Sequence, residues 1–464
     1  MAEENVILGL PTVAKLRSKD LVNESIRRRI IHSFPNGGSP LCALLAWAKI
    51  QSINNTKHTW YEKIYISPRA NARGTNPATS DAPSTGDADD GTALAAGAKT
   101  TGTEIFIKVD STANLAIKDV IRIPAWDVPV IVVDITRGVA TDTAKGYIKV
   151  KPLRNFTYAV AAKINASDVL DVVGSAYAEG SGAGASRGFR YPANLMNQTQ
   201  IFKEPYEFTG SAAKTDLKFD STGIYKELSM DACRNHMCKI EKSLIFGQRT
   251  TTQDANGREI RTMSGVLEFL KLWDAGATGL TIDGQTYAPF DFKDATTTDT
   301  DNQKRFITNA DGKVSIDRLE RWLRNINLYN QSKTTDRLCL CGSQVMLTMS
   351  KMMRDQGSYM WQQGQDFFGT KFNRLITAMG DIVFMTHPLF NENPLYNSSA
   401  LFIDIWSLNF RPMQDRDSKI VKNIQANDED LRRDQWITEG TLEFWKPQNH
   451  MFVQNFSEYD KTVA

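Results

Sequence analysis

Apolar residues recur along the chain with two periods, and each period predicts one type of element. Between residues 223 and 247 they recur every three or four positions, which predicts a single long amphipathic helix of about 35 Å. The apolar stripe of this helix holds Tyr225, Ala232, Met237, Ile240 and Leu244. The opposite side is predicted to face water and holds Glu227, Asp231, Arg234 and Glu241.

Shorter helices are predicted on both sides of the long one. Residues 12–32 predict a helix near the amino terminus. Residues 315–329 predict a second, with Ser315 as its N-cap. Its apolar face comprises Leu319, Trp322, Leu323 and Ile326. Residues 343–357 predict a third, which Ser343 caps.

Alternating patterns predict an arm of two strands with an insertion. One strand begins at Trp60, and residues 199–210 are predicted to lead the chain back. Between them, residues 104–153 contain four short runs rich in β-branched residues, "EIFIKV", "DVIRIP", "VPVIVVDI" and "GYIKVKPL", which predict a small β-module. The flanking stretches 70–103 and 174–188 are composed mostly of small and polar residues, which predicts flexible tethers.

The rest of the chain predicts a mixed α/β region. The run "RLCLC" at 337–341 predicts a buried strand. Residues 372–378 and 381–387 predict a hairpin through Met379 and Gly380. Further strands are predicted within 399–412 and 437–456.

Composition limits the classes of function. The 464 residues suffice for about three domains. With 55 basic and 53 acidic residues the net charge is only +2, so any contact with nucleic acid must be local. Five cysteines are too few and of the wrong parity for a disulfide framework, which favours a reducing compartment. The start of the chain lacks the pattern of a signal peptide, and no apolar run is long enough to predict a membrane span.

The closest approach to a metal motif lies in the long helix. Cys233, His236 and Cys238 fall within six residues. Cys233 and His236 share the apolar face, but Cys238 lies about 140° from Cys233 and about 160° from His236. A regular helix therefore does not present all three to one ion, and packing in a core is the better interpretation. No metal and no cofactor are expected.

Catalytic motifs are missing as well. The sequence contains no nucleophile elbow, Walker loop, zinc-protease helix or kinase set. Pairs of carboxylates are too common to exclude acid–base chemistry. An enzyme with a β-rich accessory domain therefore stays an alternative, without positive evidence.

The order of the parts adds a resemblance. "NQTQIFKEPYEFTGSA" followed by a helix ending "KIEKSLIFGQ" is similar to the strand and spine helix of one branch of tailed-bacteriophage major capsid proteins. "TKFNRLITAMGDIVFMTHPLF" followed by "ALFIDIWSLNFRP" looks like their axial domain. The chain thus resembles the HK97-like capsid proteins, which implies an α+β fold.

The resemblance also implies domain boundaries. The expected order is an N-terminal arm, an extended loop with the inserted module, a peripheral domain with the spine helix, an axial domain, and C-terminal strands that return to the peripheral domain. The corresponding residues are 1–59, 60–200, 201–314, 315–412 and 413–464.

The function implied is that of a major capsid protein, which self-assembles into the icosahedral shell around a double-stranded DNA genome. The expected partners are copies of itself in hexamers and pentamers, a portal, a separate scaffolding protein and non-specifically bound DNA, with a head decoration protein as a further candidate. No membrane is expected; the location is the virion, after assembly in the bacterial cytoplasm. Arg27, Arg28 and Arg29 form the candidate genome-facing cluster.

Two alternative functions stay open. An encapsulin-like nanocompartment shell is an alternative on the same fold. A tail or adhesion protein is another, although no repeats or heptads support it.

Overall fold

The computed structural model describes most of the chain. The described residues are 40–45, 51–63, 68–72, 94–109, 111–112, 114–123, 125–139, 142–159, 164, 168–182, 184, 191–215, 224–290, 304–328, 336–356, 361–367, 370–377 and 380–460. The helix predicted for 12–32 lies outside them, as do Arg27, Arg28 and Arg29.

The chain forms two compact units. The first combines Met1–Glu62 with Asn194–Ala464, and the second is Lys63–Ala193. Strands β1 (Lys57–Glu62) and β10 (Ala193–Gln198) pair where the chain passes between the units. The predicted outgoing strand is thus confirmed over residues 60–62, although it begins earlier, at Lys57, and its predicted continuation over 64–66 lies outside the described residues; its partner is β10. Residues 199–210, predicted to lead back along it, form β11 (Gln200–Thr209), which pairs with a carboxy-terminal strand instead.

The second unit is a small β-barrel. Six strands hydrogen-bond in the order β2-β9-β5-β6-β7-β4, and an isolated antiparallel bridge between Ala72 and Val109 joins the two ends of this sheet. The strands are β2 (Arg69–Asn71), β4 (Ile105–Val109), β5 (Asp119–Arg122), β6 (Pro129–Val139), β7 (Asp142–Pro152) and β9 (Val169–Ser175). A two-stranded sheet, β3 (Gly97–Lys99) with β8 (Phe156–Tyr158), accompanies them.

Apolar side chains fill the barrel. Ile105, Ile107 and Val109 alternate into the interior, as the pleat of a strand requires, and each is at most 2% exposed. The same core contains Ala70 and Leu170, from the two strands outside 104–153. The predicted module boundary is therefore too narrow, and parts of both predicted tethers are strands.

The larger sheet of the first unit has seven strands in the order β16-β26-β22-β18-β21-β20-β19. The strands are β16 (Phe306–Thr308), β18 (Arg337–Cys341), β19 (Trp361–Phe367), β20 (Thr370–Thr377), β21 (Gly380–Thr386), β22 (Ala400–Ile403) and β26 (Met451–Gln454). β18 runs parallel to β21, and β20 pairs antiparallel with β21, as the predicted hairpin requires. β16 and β26 come from outside the predicted axial domain, so this sheet does not end at residues 315 and 412. The other domain boundaries stay predictions.

Helices α5 (Ile316–Asn327) and α6 (Ser343–Gln356) contribute to the core of this sheet. Ser315 caps α5 as predicted, because its hydroxyl accepts a hydrogen bond from the Arg318 amide. All four residues of the predicted apolar face are buried.

The cap predicted for α6 is wrong. Ser343 is the first residue of the helix, and its hydroxyl donates to Asn397 Oδ1. The first amides of α6 are satisfied from later in the chain, since Ser343 N donates to Asn391 Oδ1 and Gln344 N to Asn397 Oδ1. Side chains far along the chain thus supply what a local cap would supply.

The second sheet carries the long helix. β25 (Leu431–Phe444) pairs with β11, β23 (Leu408–Pro412) and β24 (Lys419–Val421). The long helix α3 spans Ile224–Phe246, which confirms the prediction to within one residue at each end. Of the two carboxy-terminal strands expected near this helix, β25 lies there and β26 joins the seven-stranded sheet.

The remaining elements are short. The helices are α1 (Pro40–Leu45), α2 (Gly210–Lys214), α4 (Val266–Ala275) and α7 (Pro388–Glu392). The strand pairs are β12 (Thr250–Gln253) with β13 (Glu259–Thr262), β14 (Leu280–Ile282) with β15 (Gln285–Tyr287), and β17 (Lys313–Val314) with β27 (Glu458–Tyr459). No helix within the described ranges is long and apolar enough to cross a membrane.

Candidate functional site at the long helix and the arm root

One side of α3 packs on β25 through polar and apolar contacts. Trp436 donates its indole N–H to the carbonyl of Ser229 at 3.1 Å, and His236 Nε2 lies 2.7 Å from Thr438 Oγ1. Burial lowers the pKa of His236 below its ordinary value, so the ring is neutral near pH 7. His236 therefore acts as a packed, hydrogen-bonded residue of this interface.

The three candidate metal ligands do not form a site in the structure. His236 is buried, whereas Cys233 and Cys238 are only partly buried. Among the described residues, no group of three or more His, Cys, Asp or Glu side chains is placed to hold a metal ion. Burial raises the pKa of both thiols, which keeps them protonated and weakens them as ligands.

The prediction that Glu241 faces water is wrong. Its side chain is fully buried. Its carboxylate accepts hydrogen bonds from the backbone N–H of Leu41 at 3.0 Å, from that of Cys42 at 3.3 Å, and from His387 Nε2 at 2.6 Å. Helix α3 is thus covered on a second side by α1 and by the start of α7. The carboxylate of Glu241 can be buried on this side because hydrogen-bond donors surround it.

His387 is held in one tautomer by two hydrogen bonds. Its Nδ1 accepts from the Leu389 amide at 3.2 Å and so caps α7, which leaves the proton on Nε2, directed at Glu241. The imidazole is therefore a neutral donor. We call Glu241, His387 and the two amides of Leu41 and Cys42 the buried clasp; it joins the amino-terminal segment, the long helix and the segment that follows β21.

The thiol of Cys42 lies beside this clasp. It donates to the carbonyl of Met237 at 3.7 Å. Burial, and then the carboxylate of Glu241, raise the pKa of Cys42 well above its ordinary value. The thiol therefore stays protonated and contributes to packing.

The root of the arm is formed by β1, β10 and the residues that hold them. Asn197 of β10 is fully buried, and its side-chain amide Nδ2 donates hydrogen bonds to the backbone carbonyls of Ser264 and Leu442. The hydroxyl of Tyr287 accepts from the Met196 amide at 2.8 Å and donates to the Asn194 carbonyl at 3.0 Å. β10 is thus fixed to the first unit at several points.

A buried carboxylate organises the same region. Glu443 of β25 accepts hydrogen bonds from His58 at 3.1 Å, from Trp445 at 2.6 Å and from the guanidinium of Arg411. Burial alone would raise the pKa of Glu443, but these three hydrogen bonds outweigh burial and hold it at about 2. Glu443 is therefore ionised at every physiological pH.

A second buried carboxylate, Glu439, lies earlier in the same strand. It accepts from the Thr199 hydroxyl at 3.0 Å and lies 3.1 Å from Arg416 and 3.6 Å from Arg261. The charges of Glu439 and Glu443 are thus both paired, as burial requires.

Sequence reasoning missed these residues for a common reason. Glu241, His387, Glu439 and Glu443 are polar residues beside apolar ones, and their partners lie far away in the chain. The one available signal is that Glu241 stands between Ile240 and the apolar pair Leu244–Ile245, on a segment whose buried face is wider than a single stripe.

The buried acids described above are paired with cations, hydroxyls or backbone amides, as burial of a charge requires. A family model described as the SU10 major capsid protein matches residues 12–457, so the chain belongs to this family of phage capsid proteins. The chain is a structural protein and not an enzyme, and the α+β class predicted from the sequence is confirmed.

Solved structures similar to the chain include capsids and one nanocompartment. The capsid of a native GTA particle is 7% identical, covers 96% of this chain and 99% of its own, and has a TM-score of 0.40. The Microbacterium phage Oxtober96 structure is 9% identical, with 97% and 99% coverage and a TM-score of 0.40. The SrpI encapsulin of Synechococcus elongatus PCC 7942 is 10% identical, with 60% and 80% coverage and a TM-score of 0.37. Among curated proteins no match was found.

Proposed function

We propose that the chain assembles with copies of itself, as hexamers and pentamers, into an icosahedral shell around a double-stranded DNA phage genome. The observation that carries this proposal is the match to a major capsid protein family over residues 12–457. The paired buried charges around α3 are compatible with a rigid structural subunit.

The partners follow from this role. A portal and a separate scaffolding protein are proposed to act during assembly in the bacterial cytoplasm, and a decoration protein is a candidate for the finished head. Expression of the chain with the scaffolding protein of its phage, followed by negative-stain electron microscopy, tests the proposal. Closed shells of uniform size support it, and a monomer or a shell that packages protein cargo instead of DNA would contradict it.

Arg27, Arg28 and Arg29 are proposed to contact the packaged DNA. They are the densest basic cluster of a chain whose net charge is only +2. Removal of one phosphate contact should reduce the salt dependence of DNA binding by about one unit of slope. Replacing the three arginines by glutamine should therefore flatten that dependence by about three units, and an unchanged slope would refute this role.

The barrel of the second unit is proposed to brace neighbouring subunits at the outer surface, between capsomers. It has its own apolar core, so its residues are not needed to fill the core of the first unit. A chain in which a short Gly-Ser linker replaces 63–193 should keep the first unit folded and form fragile shells or none. Shells as robust as those of the unmodified chain would exclude bracing.

A further inference from the structure

One face of β1 is turned toward the end of β25. His58, Trp60 and Glu62 occupy alternate positions on this face, and Trp60 is only 8% exposed. Tyr61, between the last two, is 67% exposed on the other face. The contact with the turn after β25 is made by Glu62, whose Oε1 accepts a hydrogen bond from the Lys446 amide at 2.9 Å.

The two carboxylate oxygens of Glu62 differ in their surroundings. Oε1 accepts from Lys446 N and also from the indole N–H of Trp60 at 3.3 Å. Oε2 is buried and has no hydrogen-bond partner. A carboxylate with one desolvated, unpartnered oxygen is unfavourable when ionised and much less so when it carries a proton.

The charged groups around Glu62 do not offset this cost. Glu443 lies nearby and takes the hydrogen bonds of His58 and Arg411 for itself, so its negative charge opposes a second one. Lys446 contributes a favourable charge, while Tyr287 on β15 is a neutral neighbour near pH 7 whose own pKa is raised to about 12.

Burial is the main cause that raises the pKa of Glu62 to about 7. The hydrogen bonds from Lys446 and Trp60 lower it only in part, and the charge of Glu443 raises it further. Glu62 therefore changes its charge in the range of neutral pH, whereas Glu443 beside it does not.

We propose that Glu62 is a proton-dependent latch at the root of the arm, closed on Lys446 when the carboxyl group is neutral and released when it is ionised. Release exposes the desolvated oxygen to water and separates Glu62 from the charge of Glu443. It frees the amide of Lys446 and the end of β1, the strand by which the chain leaves the first unit.

The direction of the pH dependence follows from linkage. The closed form binds the proton more tightly than an exposed carboxyl group, whose pKa is near 4.5. The latch is therefore most favoured below about pH 4.5, loses stability as the pH rises toward 7, and changes little above that. The difference between a pKa of about 4.5 and one of about 7 sets the upper limit, and the partial exposure of Glu62 reduces it, so the opening equilibrium should shift by roughly 10- to 100-fold across this range.

Hydrogen exchange on the purified full-length chain tests the latch. The amides of 57–62 and 445–449 are followed at pH 5.5 and pH 8.5 and corrected for intrinsic exchange. In the unmodified chain their protection should fall roughly 10- to 100-fold at the higher pH. In Glu62→Gln, which is always neutral, the protection should be the same at both values. Glu207→Gln, at a side chain 56% exposed, is the matched control and should behave like the unmodified chain.

His58 lies beside this site as a hydrogen-bond partner of Glu443, and His58→Gln separates any contribution of this histidine from that of Glu62. This variant should keep the pH dependence, since Glu62 is intact. Three results would overturn the latch: no pH effect in the unmodified chain, a full effect in Glu62→Gln, or loss of the effect in His58→Gln. All three concern a single subunit, so they are independent of whether shells form.

Discussion

Glu241 and His387 are both fully buried, and Oε1 of the first lies 2.6 Å from Nε2 of the second. The pair is 146 residues apart in the chain. Because His387 also caps α7 and Glu241 also receives two amides of α1, removal of either side chain leaves several buried groups without partners.

Glu241→Ala should destabilise the first unit by about 3 kcal/mol. The substitution leaves the imidazole N–H of His387 and the amides of Leu41 and Cys42 buried and unpaired, and such losses cost this order of free energy. Urea unfolding measures the change. Asp231→Ala on the same helix is the control, because its ion pair with Arg234 is largely exposed and should be worth less than about 1 kcal/mol. Equal effects of the two substitutions would show that the buried clasp does not hold the helix.

Glu443 should dominate the acid sensitivity of its sheet. Its pKa is lowered to about 2, so its stabilising contribution is complete above about pH 4.5 and is lost as the pH falls toward 2. The contribution is about 3 kcal/mol. Glu443→Gln should therefore be less stable at pH 7 and show a flatter decline between pH 4.5 and 2, followed by denaturant unfolding at several pH values. A decline as steep as that of the unmodified chain would contradict this assignment.

The purified chain should contain no stoichiometric metal. Cys238 lies about 140° from Cys233 and about 160° from His236 around α3, so the three side chains do not meet at one ion, and burial keeps both thiols protonated. Elemental analysis after purification without chelators should give far less than one zinc per chain. About one zinc per chain, absent from a Cys233→Ser variant, would refute the packing interpretation.

Two replacements should differ sharply in their effect on the barrel. A Gly-Ser linker in place of 104–153 removes four of the six strands and leaves Ala70 and Leu170 without a core, so the second unit should unfold. A linker in place of 63–193 removes the whole unit and should leave the first unit with an unchanged melting transition. Circular dichroism and calorimetry distinguish the two, and a folded second unit in the shorter replacement would show that the barrel is not one cooperative core.

Trp406 should matter for assembly and not for folding. Its side chain is 73% exposed on a 3₁₀ turn (Ile405–Ser407) that Asp404 fixes through the Trp406 amide and the Ser407 hydroxyl. A rigidly held, exposed tryptophan is typical of the centre of an interface. Trp406→Ala should change the free energy of unfolding by less than about 0.5 kcal/mol and lower the yield of shells, measured by sedimentation. Normal assembly would exclude a contact with a neighbouring copy at this position.

Local pattern determined much of this protein. The bounds of α3, the cap of α5 by Ser315 and the buried face around Trp322 follow from spacing within a few turns, because helix periodicity and capping depend on residues close in sequence. The four strands between 104 and 153 were also predicted from the sequence, since the alternation of side chains in a strand depends on neighbouring residues. The order of these elements was enough to indicate the capsid family.

Only the tertiary structure determined the contacts and hydrogen bonds between residues that are far apart in the sequence. Closure of the barrel depends on Ala72 meeting Val109, and short strands such as β2 are too brief to show a period of their own. Glu241 is a charged residue opposite the predicted apolar stripe, yet it is buried because Leu41, 200 residues earlier, and His387 supply donors. Burial of a charge depends on partners brought together by the fold, and one sequence carries no local record of such pairs.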